Sequence, residues 1–160
     1  MDPLVKKIAW FGGAYLVVAA AAVGYIVLTG TFAGRGTDLD PQTVARGQAH
    51  YVTHCARCHG ANLEGQKGWE TRRPDGTVPA PPQDASGHTW QHPDRQIFDY
   101  IKLGGGIFSK RGERSEMPGF GADLSDPEIW ALIAFIKSRW PEDVRASQLR
   151  ANMLGGFEHH

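Results

Sequence analysis

The sequence predicts an all-α protein in which a single transmembrane helix precedes a small helical domain. Three observations carry that prediction: an uncharged apolar run near the N-terminus, three later segments whose apolar residues recur at helical spacing, and no segment with convincing two-residue alternation. Composition hides this division. Of 160 residues 41% are hydrophobic, and 17 Lys and Arg balance 17 Asp and Glu, averages that describe an ordinary soluble domain. A nucleic-acid binder would be basic, so no nucleic-acid partner is expected. Two cysteines are too few for a disulfide-stapled framework or a four-cysteine zinc site.

Residues 1–7 form a short cytoplasmic N-terminus that carries Lys6 and Lys7. From Ile8 to Leu28 there are 21 residues without a charged side chain. At ~1.5 Å of helical rise per residue that length crosses a hydrocarbon core of ~30 Å, and the anchor is assigned to residues 8–29. No positive charge follows until Arg35, so the positive-inside rule keeps the N-terminus cytoplasmic and exports the remainder to the periplasm of a bacterial inner membrane. A cleaved signal peptide is the alternative, but its apolar region would be only ~7–15 residues long, and the candidate site near Ala33 is weak. Trp10, Phe11 and Tyr25 lie towards the ends of the run, where aromatic rings favour the interface. Gly12, Gly13, Ala20 and Gly24 offer a small-residue stripe for a partner transmembrane helix, although Ala-rich spans carry such spacings by chance. Residues 30–41 are a short linker whose reach as a flexible chain is roughly 20 Å, which keeps the exported domain close to the membrane surface.

The domain itself, residues 42–141, contains three helical patterns. Pro41 to His54 carries Val44, Gly47, Tyr51 and Val52 on adjoining faces. Asp94 to Leu103 places Ile97, Phe98 and Ile101 at helical spacing and stops at Gly104 to Gly106. The third opens on a capping box of Ser125 and Glu128 with Pro127 in its first turn, runs through Ile129, Leu132, Ile133, Ile136 and Trp140, and ends at Pro141. The tail, residues 142–160, has Val144, Leu149, Met153, Leu154 and Phe157, too few apolar residues for a domain but enough to fasten to a neighbouring subunit.

The first of these helices runs directly into Cys55-Ala56-Arg57-Cys58-His59, the C-x-x-C-H arrangement that attaches c-type haem. Two thiols three residues apart can add to the two vinyl groups of one haem, and the adjacent imidazole then reaches the iron from one face. A thioredoxin-like redox pair and half of a zinc site share the spacing. The first would open a long helix where this sequence turns into a Gly-rich loop, and the second lacks another cysteine pair. Haem attachment requires an exported, oxidising compartment, which the charge asymmetry around the apolar run supplies independently.

With His59 on one face, a methionine sulfur on the other would raise the reduction potential relative to a second histidine. Met1 is on the wrong side of the membrane and Met153 is in the tail, so the sixth ligand is expected to be Met117, in Ser115-Glu116-Met117-Pro118-Gly119-Phe120. Core filling is the alternative role for Met117, and His88 and His92 are the rival ligands. The same two histidines suggest copper, but two imidazoles without a softer ligand are a weak signal. Lys102, Lys110, Arg111 and Arg114 lead into the Met117 loop as a docking ring or as an ordinary solvated loop, interrupted by Glu113 and Glu116.

These residues resemble the class I (mitochondrial-type) cytochrome c family over roughly residues 42–141. Gly47 and Tyr51 match the glycine and aromatic of that family's N-terminal helix, Cys55, Cys58 and His59 its haem motif, and Met117-Pro118 its axial-ligand loop. The resemblance implies three main helices wrapped around one covalently attached haem c, with His59 and Met117 as iron ligands. Gly87-His88-Thr89-Trp90 is similar to the segment whose tryptophan hydrogen-bonds a haem propionate, which implies that role for Trp90. In the family a proline carbonyl also accepts the proximal histidine's other ring N–H. Here Pro81 and Pro82 are the candidates and Pro82 is assigned, although the usual Gly-Pro-x-Leu form is absent. The apolar span and the long 64–86 loop resemble instead the membrane-anchored cytochromes c of bacteria. The implied function is electron transfer without substrate chemistry, between membrane-embedded complexes: a quinol-oxidising cytochrome bc-type complex on one side, and a terminal oxidase or photosynthetic reaction centre on the other. The alternative is a permanently bound cytochrome c subunit of a larger respiratory or photosynthetic oxidoreductase.

Overall fold

The computed structural model describes residues 39–109 and 114–155, together with the isolated residue Ala21. The expected N-terminus, the anchor of residues 8–29 and most of the linker lie outside the described residues, as do Lys110, Arg111, Glu113 and Phe157. Among the described residues no helix is long and apolar enough to cross a membrane. The helices described are α1 (Pro41–His54), α2 (Ala56–His59), α3 (Asp94–Leu103), α4 (Asp126–Ser138) and α5 (Glu142–Gly155), with 3-10 turns at Thr89–Gln91 and Gly105–Phe108. A short parallel pair, β1 (Thr77–Val78) with β2 (Arg114–Ser115), joins the long loop to the segment before Met117. Two residues per strand leave no alternation for a sequence to display.

Local rules account for the helix ends. The Asp40 carboxylate accepts the backbone N–H groups of Gln42 and Thr43 at 3.0 and 3.1 Å, donors that the first turn of α1 cannot otherwise satisfy. At α4 the Glu128 carboxylate reaches back to accept the Ser125 backbone N–H at 2.8 Å, and Pro127 sits where a missing N–H is harmless. Its stripe forms the centre of the core, with Ile129, Leu132, Ile133, Ile136 and the following Trp140 all buried, alongside Ile97, Phe98 and Ile101 from α3. Val52 is the exception among the expected inward residues, at 64% exposed. It follows Tyr51 by one position, about 100° around the helix, and only Gly47 and Tyr51 of α1 are buried.

The helices α1 and α4 cross at Gly47. A Cβ on that residue would lie 1.9 Å from the Ala131 carbonyl oxygen, so the approach of the two backbones depends on its hydrogen. Tyr51, one turn further on, meets the Phe135 ring at a centroid distance of 5.2 Å.

Most of the tail is α5, held to its own domain by polar side chains. The buried Asp94 carboxylate accepts Lys137 Nζ at 2.8 Å on both oxygens, Gln148 Nε2 at 2.6 Å and Asn152 Nδ2 at 2.9 Å. Asn152 returns a bond by accepting the Asp94 backbone N–H at 2.6 Å. Val144 packs on the core, whereas Leu149, Met153 and Leu154 stay exposed. The apolar residues that suggest a subunit attachment are thus not the ones that hold α5 to its own domain.

Two outcomes follow from these contacts. Gly47→Ala overpacks the crossing and should lower stability by about 3 kcal/mol, the upper end for an added methyl in a tight core, as read by denaturant unfolding of the holoprotein. Lys137→Met leaves the buried Asp94 charge uncompensated and should cost about 3–5 kcal/mol, while Lys137→Met combined with Asp94→Leu should recover most of that loss.

Candidate functional site

Cys55 ends α1, its N–H bonded to the Tyr51 carbonyl at 2.9 Å, and the chain turns at once into the single helical turn of α2 that carries Cys58 and His59. The Tyr51 hydroxyl donates to the Gly60 carbonyl at 2.8 Å, while Gly60, at φ +83°, ends α2 in a conformation that side chains disfavour. Tyr51 is thus more than core packing: one end braces the α1–α4 crossing and the other pins the turn that presents His59. Both cysteines are free, Cys55 buried and Cys58 exposed. Burial, with Cys58 adding to it, pushes the Cys55 thiol up to about 12. A thioredoxin-like pair needs a stabilised thiolate, and this environment opposes one. Among the described residues no group of three or more His, Cys, Asp or Glu is arranged to hold a metal ion.

His59 is buried, and its Nδ1 lies 2.8 Å from the Pro81 carbonyl. This corrects the assignment of Pro82: the Pro82 carbonyl instead faces Thr89 Oγ1 at 3.5 Å. The physical reason is the packing of two loops. Gln66 donates its N–H to the Ala80 carbonyl at 2.8 Å, Gln83 donates to the Leu63 carbonyl at 2.8 Å, and Gly65 lies so close that a Cβ would sit 2.4 Å from Pro82 N. Leu63 is held at φ +68° in the same turn, a conformation rare outside glycine that its bonds to the 83–84 backbone maintain. The result aims the Pro81 carbonyl at the imidazole. Burial outweighs that bond and lowers the His59 pKa from its ordinary value, so the ring is neutral near pH 7 with Nε2 available as a lone-pair donor.

Met117 comes from the other side of the sequence and is tied to the C-terminal end of α3. Its carbonyl accepts the Gly105 N–H at 3.1 Å and its own N–H donates to Ser115 Oγ at 3.2 Å, while Phe120 and Gly121 donate to the Ile101 and Lys102 carbonyls. The side chain is half-buried against the same apolar cluster as Cys55, Ala56 and Trp90. Met153, by contrast, is 56% exposed on α5. Trp90 reaches the cluster, and its single N–H donates to the Gly87 carbonyl at 2.9 Å. His88 stacks on Trp69 and meets His92 edge-on, at centroid distances of 5.6 and 5.4 Å. Of the basic residues near Met117, Lys102 pairs with Asp126 at 2.6 Å and Arg114 with Asp75 at 3.7 Å.

This donor set fits a covalently attached haem c. Two free thiols flank one turn, a neutral buried imidazole is fixed by its outer nitrogen, and a thioether is held on a braced loop beside the same cluster. Gln83 is a site residue without a spacing signal: its backbone carbonyl accepts Trp140 Nε1 at 2.7 Å, locking the loop that carries Pro81 onto the end of α4. The comparisons agree with the geometry. The family model described as cytochrome c oxidase, cbb3-type, subunit III matches residues 42–136, more than half of the chain. No curated protein matches the chain.

Met117→Ala should retain covalent haem, since both thiols remain, yet lose the sulfur-to-iron charge-transfer absorption of the oxidised protein and show a lower reduction potential. A variant unchanged in both properties would remove Met117 from the iron.

Proposed function

The chain belongs to the cbb3-type cytochrome c oxidase subunit III family, a c-type cytochrome domain, and on that footing we propose that it is a membrane-anchored monohaem electron carrier. It would work on the periplasmic side of a bacterial inner membrane, between a quinol-oxidising cytochrome bc-type complex and a terminal oxidase or photosynthetic reaction centre. The observation that carries this is the neutral, buried His59 fixed by Pro81 directly after the paired thiols. Haem c, attached through Cys55 and Cys58, supplies one-electron Fe(III)/Fe(II) chemistry.

The chain's own residues decide what kind of site this is. Pro81 holds the imidazole ring in one orientation, so it does not have to reorganise when charge changes. Met117, braced by Gly105 and Ser115, would hold the iron of a bound haem opposite His59 and leave no position for oxygen or peroxide, which favours electron transfer over oxidase or peroxidase chemistry. The uncharged run from Ile8 to Leu28, with Lys6 and Lys7 before it, supports the anchor and its orientation. The roughly 20 Å reach of the linker favours meeting partners by lateral diffusion over shuttling at a distance.

A second reading is a fixed subunit of an oxidase complex, and the family's own description favours it. Purification from native membranes in mild detergent separates the two. A carrier is released alone as a haem-staining band near 17.5 kDa, whereas a subunit arrives with the same partners in every preparation. Recovery in the aqueous fraction, or a band without covalent haem, would overturn both.

A further inference from the structure

Helix α5 lies beyond the matched region, which ends at residue 136, and it is amphipathic in reverse. A surface helix ordinarily turns its apolar stripe inward and its polar residues to water. In α5 the inward face carries Gln148 and Asn152, bonded to Asp94, with Val144 on the core at its start. The outward face carries Leu149, Met153 and Leu154, each more than half exposed, with Ala146 and Arg150 exposed among them. Neighbouring apolar side chains left outside in this way mark a face with something to cover it.

Charge and size select the occupant. Glu142 and Asp143 sit in the first turn, and from residue 144 to residue 155 the charged side chains are Arg145 and Arg150 alone. Arg145 is turned to the Trp140 carbonyl, whereas Arg150 is exposed and donates to neutral Ser147 Oγ at 2.7 Å, which leaves its charge for an anion. Leucine and methionine side chains beside an exposed guanidinium suit the boundary between acyl chains and phosphate headgroups. A stable protein interface needs about 800 Å² from each partner, while one face of this 14-residue helix, ~21 Å long and ~10 Å wide, offers on the order of 200 Å². A lipid surface asks for no such area. Chain length agrees, because the roughly 20 Å reach of the segment between Leu28 and Pro41 keeps the domain within about one α5 length of the bilayer. So short a tether makes a contact too weak to hold a free domain sufficient for an attached one.

Resting on the anchor reading above, we propose that the outward face of α5 seats on an anionic phospholipid surface, with Leu149, Met153 and Leu154 among the acyl chains and Arg150 on a phosphate. The seat gives the domain an orientation. Asp94, to which α5 is bonded, opens α3, while Phe120 and Gly121 of the Met117 segment are tied to the Ile101 and Lys102 carbonyls at its other end. Ten residues of helix put those ends about 15 Å apart. The bilayer takes the first end and leaves the Met117 end uncovered.

The test is photo-crosslinking of the full-length holoprotein, in vesicles of phosphatidylethanolamine and phosphatidylglycerol and in native membranes. With the photoreactive p-benzoylphenylalanine in place of Met153, irradiation should give a haem-bearing species heavier by one phospholipid in both settings. The same probe in place of Leu103, a similarly exposed residue at the far end of α3, should give none. Arg150→Gln in the chain probed at Met153 should lower the yield of the lipid adduct about fivefold, as loss of one basic residue near an anionic surface does. Protein that floats with the vesicles overturns the inference, and leaves the anchor reading intact, if it gives no lipid adduct at Met153, equal adducts at both positions, a crosslink from Met153 to a second polypeptide or a second copy, or a yield that ignores Arg150→Gln. Protein that stays in the aqueous phase overturns both.

Discussion

The hydrogen bond between His59 Nδ1 and the Pro81 carbonyl is the constraint on which the remaining architecture depends. An imidazole attached to a single helical turn has free rotation about two bonds, and a metal ligand must face one way. The bond removes that freedom, but only if the carbonyl is itself fixed. Leu63 and Gln66 on one side fix it, bonding to Gln83 and Ala80, and Trp140 on the other does so by bonding to the Gln83 carbonyl. Through Trp140 the ligand's orientation is referred to the end of α4, and through Tyr51 and Gly47 the same helix sets the position of α1 and the thiols. One helix thus indexes both the attachment point and the ring that follows it.

The Met117 side is built on a different principle. Its segment contains no helix, and its position comes from backbone bonds to the C-terminal end of α3. The N-terminal end of α3 is held in turn by Asp94, whose carboxylate gathers Lys137 from α4 and Gln148 and Asn152 from α5. A buried carboxylate accepting four hydrogen bonds from three side chains is directional in a way that Ile97 and Phe98 against the core are not. Apolar packing would tolerate a small slide of α3 along α4, while the ion pair fixes its register. Register at α3 is register at Met117.

What the sequence made legible follows from range. The starts of α1 and α4, the buried stripe of α4 and the thiol–imidazole motif all lie within a few residues of their causes: Asp40 acts over three residues and Glu128 over three. Pro81 against Pro82 was not decidable in the same way, because both are prolines and the choice is made by loop packing with Gly65, sixteen residues earlier. The bond that Trp90 makes was hidden for a related reason. Its neighbours suited a propionate contact, but the competing acceptor, the Gly87 carbonyl, appears only once the loop has closed on Pro82. In the tail the signal was inverted. Leu149 and Met153 drew attention as apolar residues, whereas Gln148 and Asn152, polar residues on a polar helix, hold it in place through Asp94, some fifty residues away.

The two kinds of support divide the labour of an electron-transfer site. Reorganisation on charge change must be small at the imidazole, which is why its partner is a backbone carbonyl with no rotamer to change, locked from two sides. The opposite loop has a different task, holding a soft sulfur against an apolar cluster while Glu116 and Pro118 on either side of it stay exposed. The charges around it are paired at the surface. Lys102 and Arg114 are paired with Asp126 and Asp75, and exposed pairs of this kind contribute little to stability. Either exposed pair can be exchanged for water or salt at small cost, whereas the buried Lys137–Asp94 pair cannot. The same chemical pair, Lys with Asp, is therefore a fixed strut within the domain and an exchangeable contact at its rim, and burial alone makes the difference.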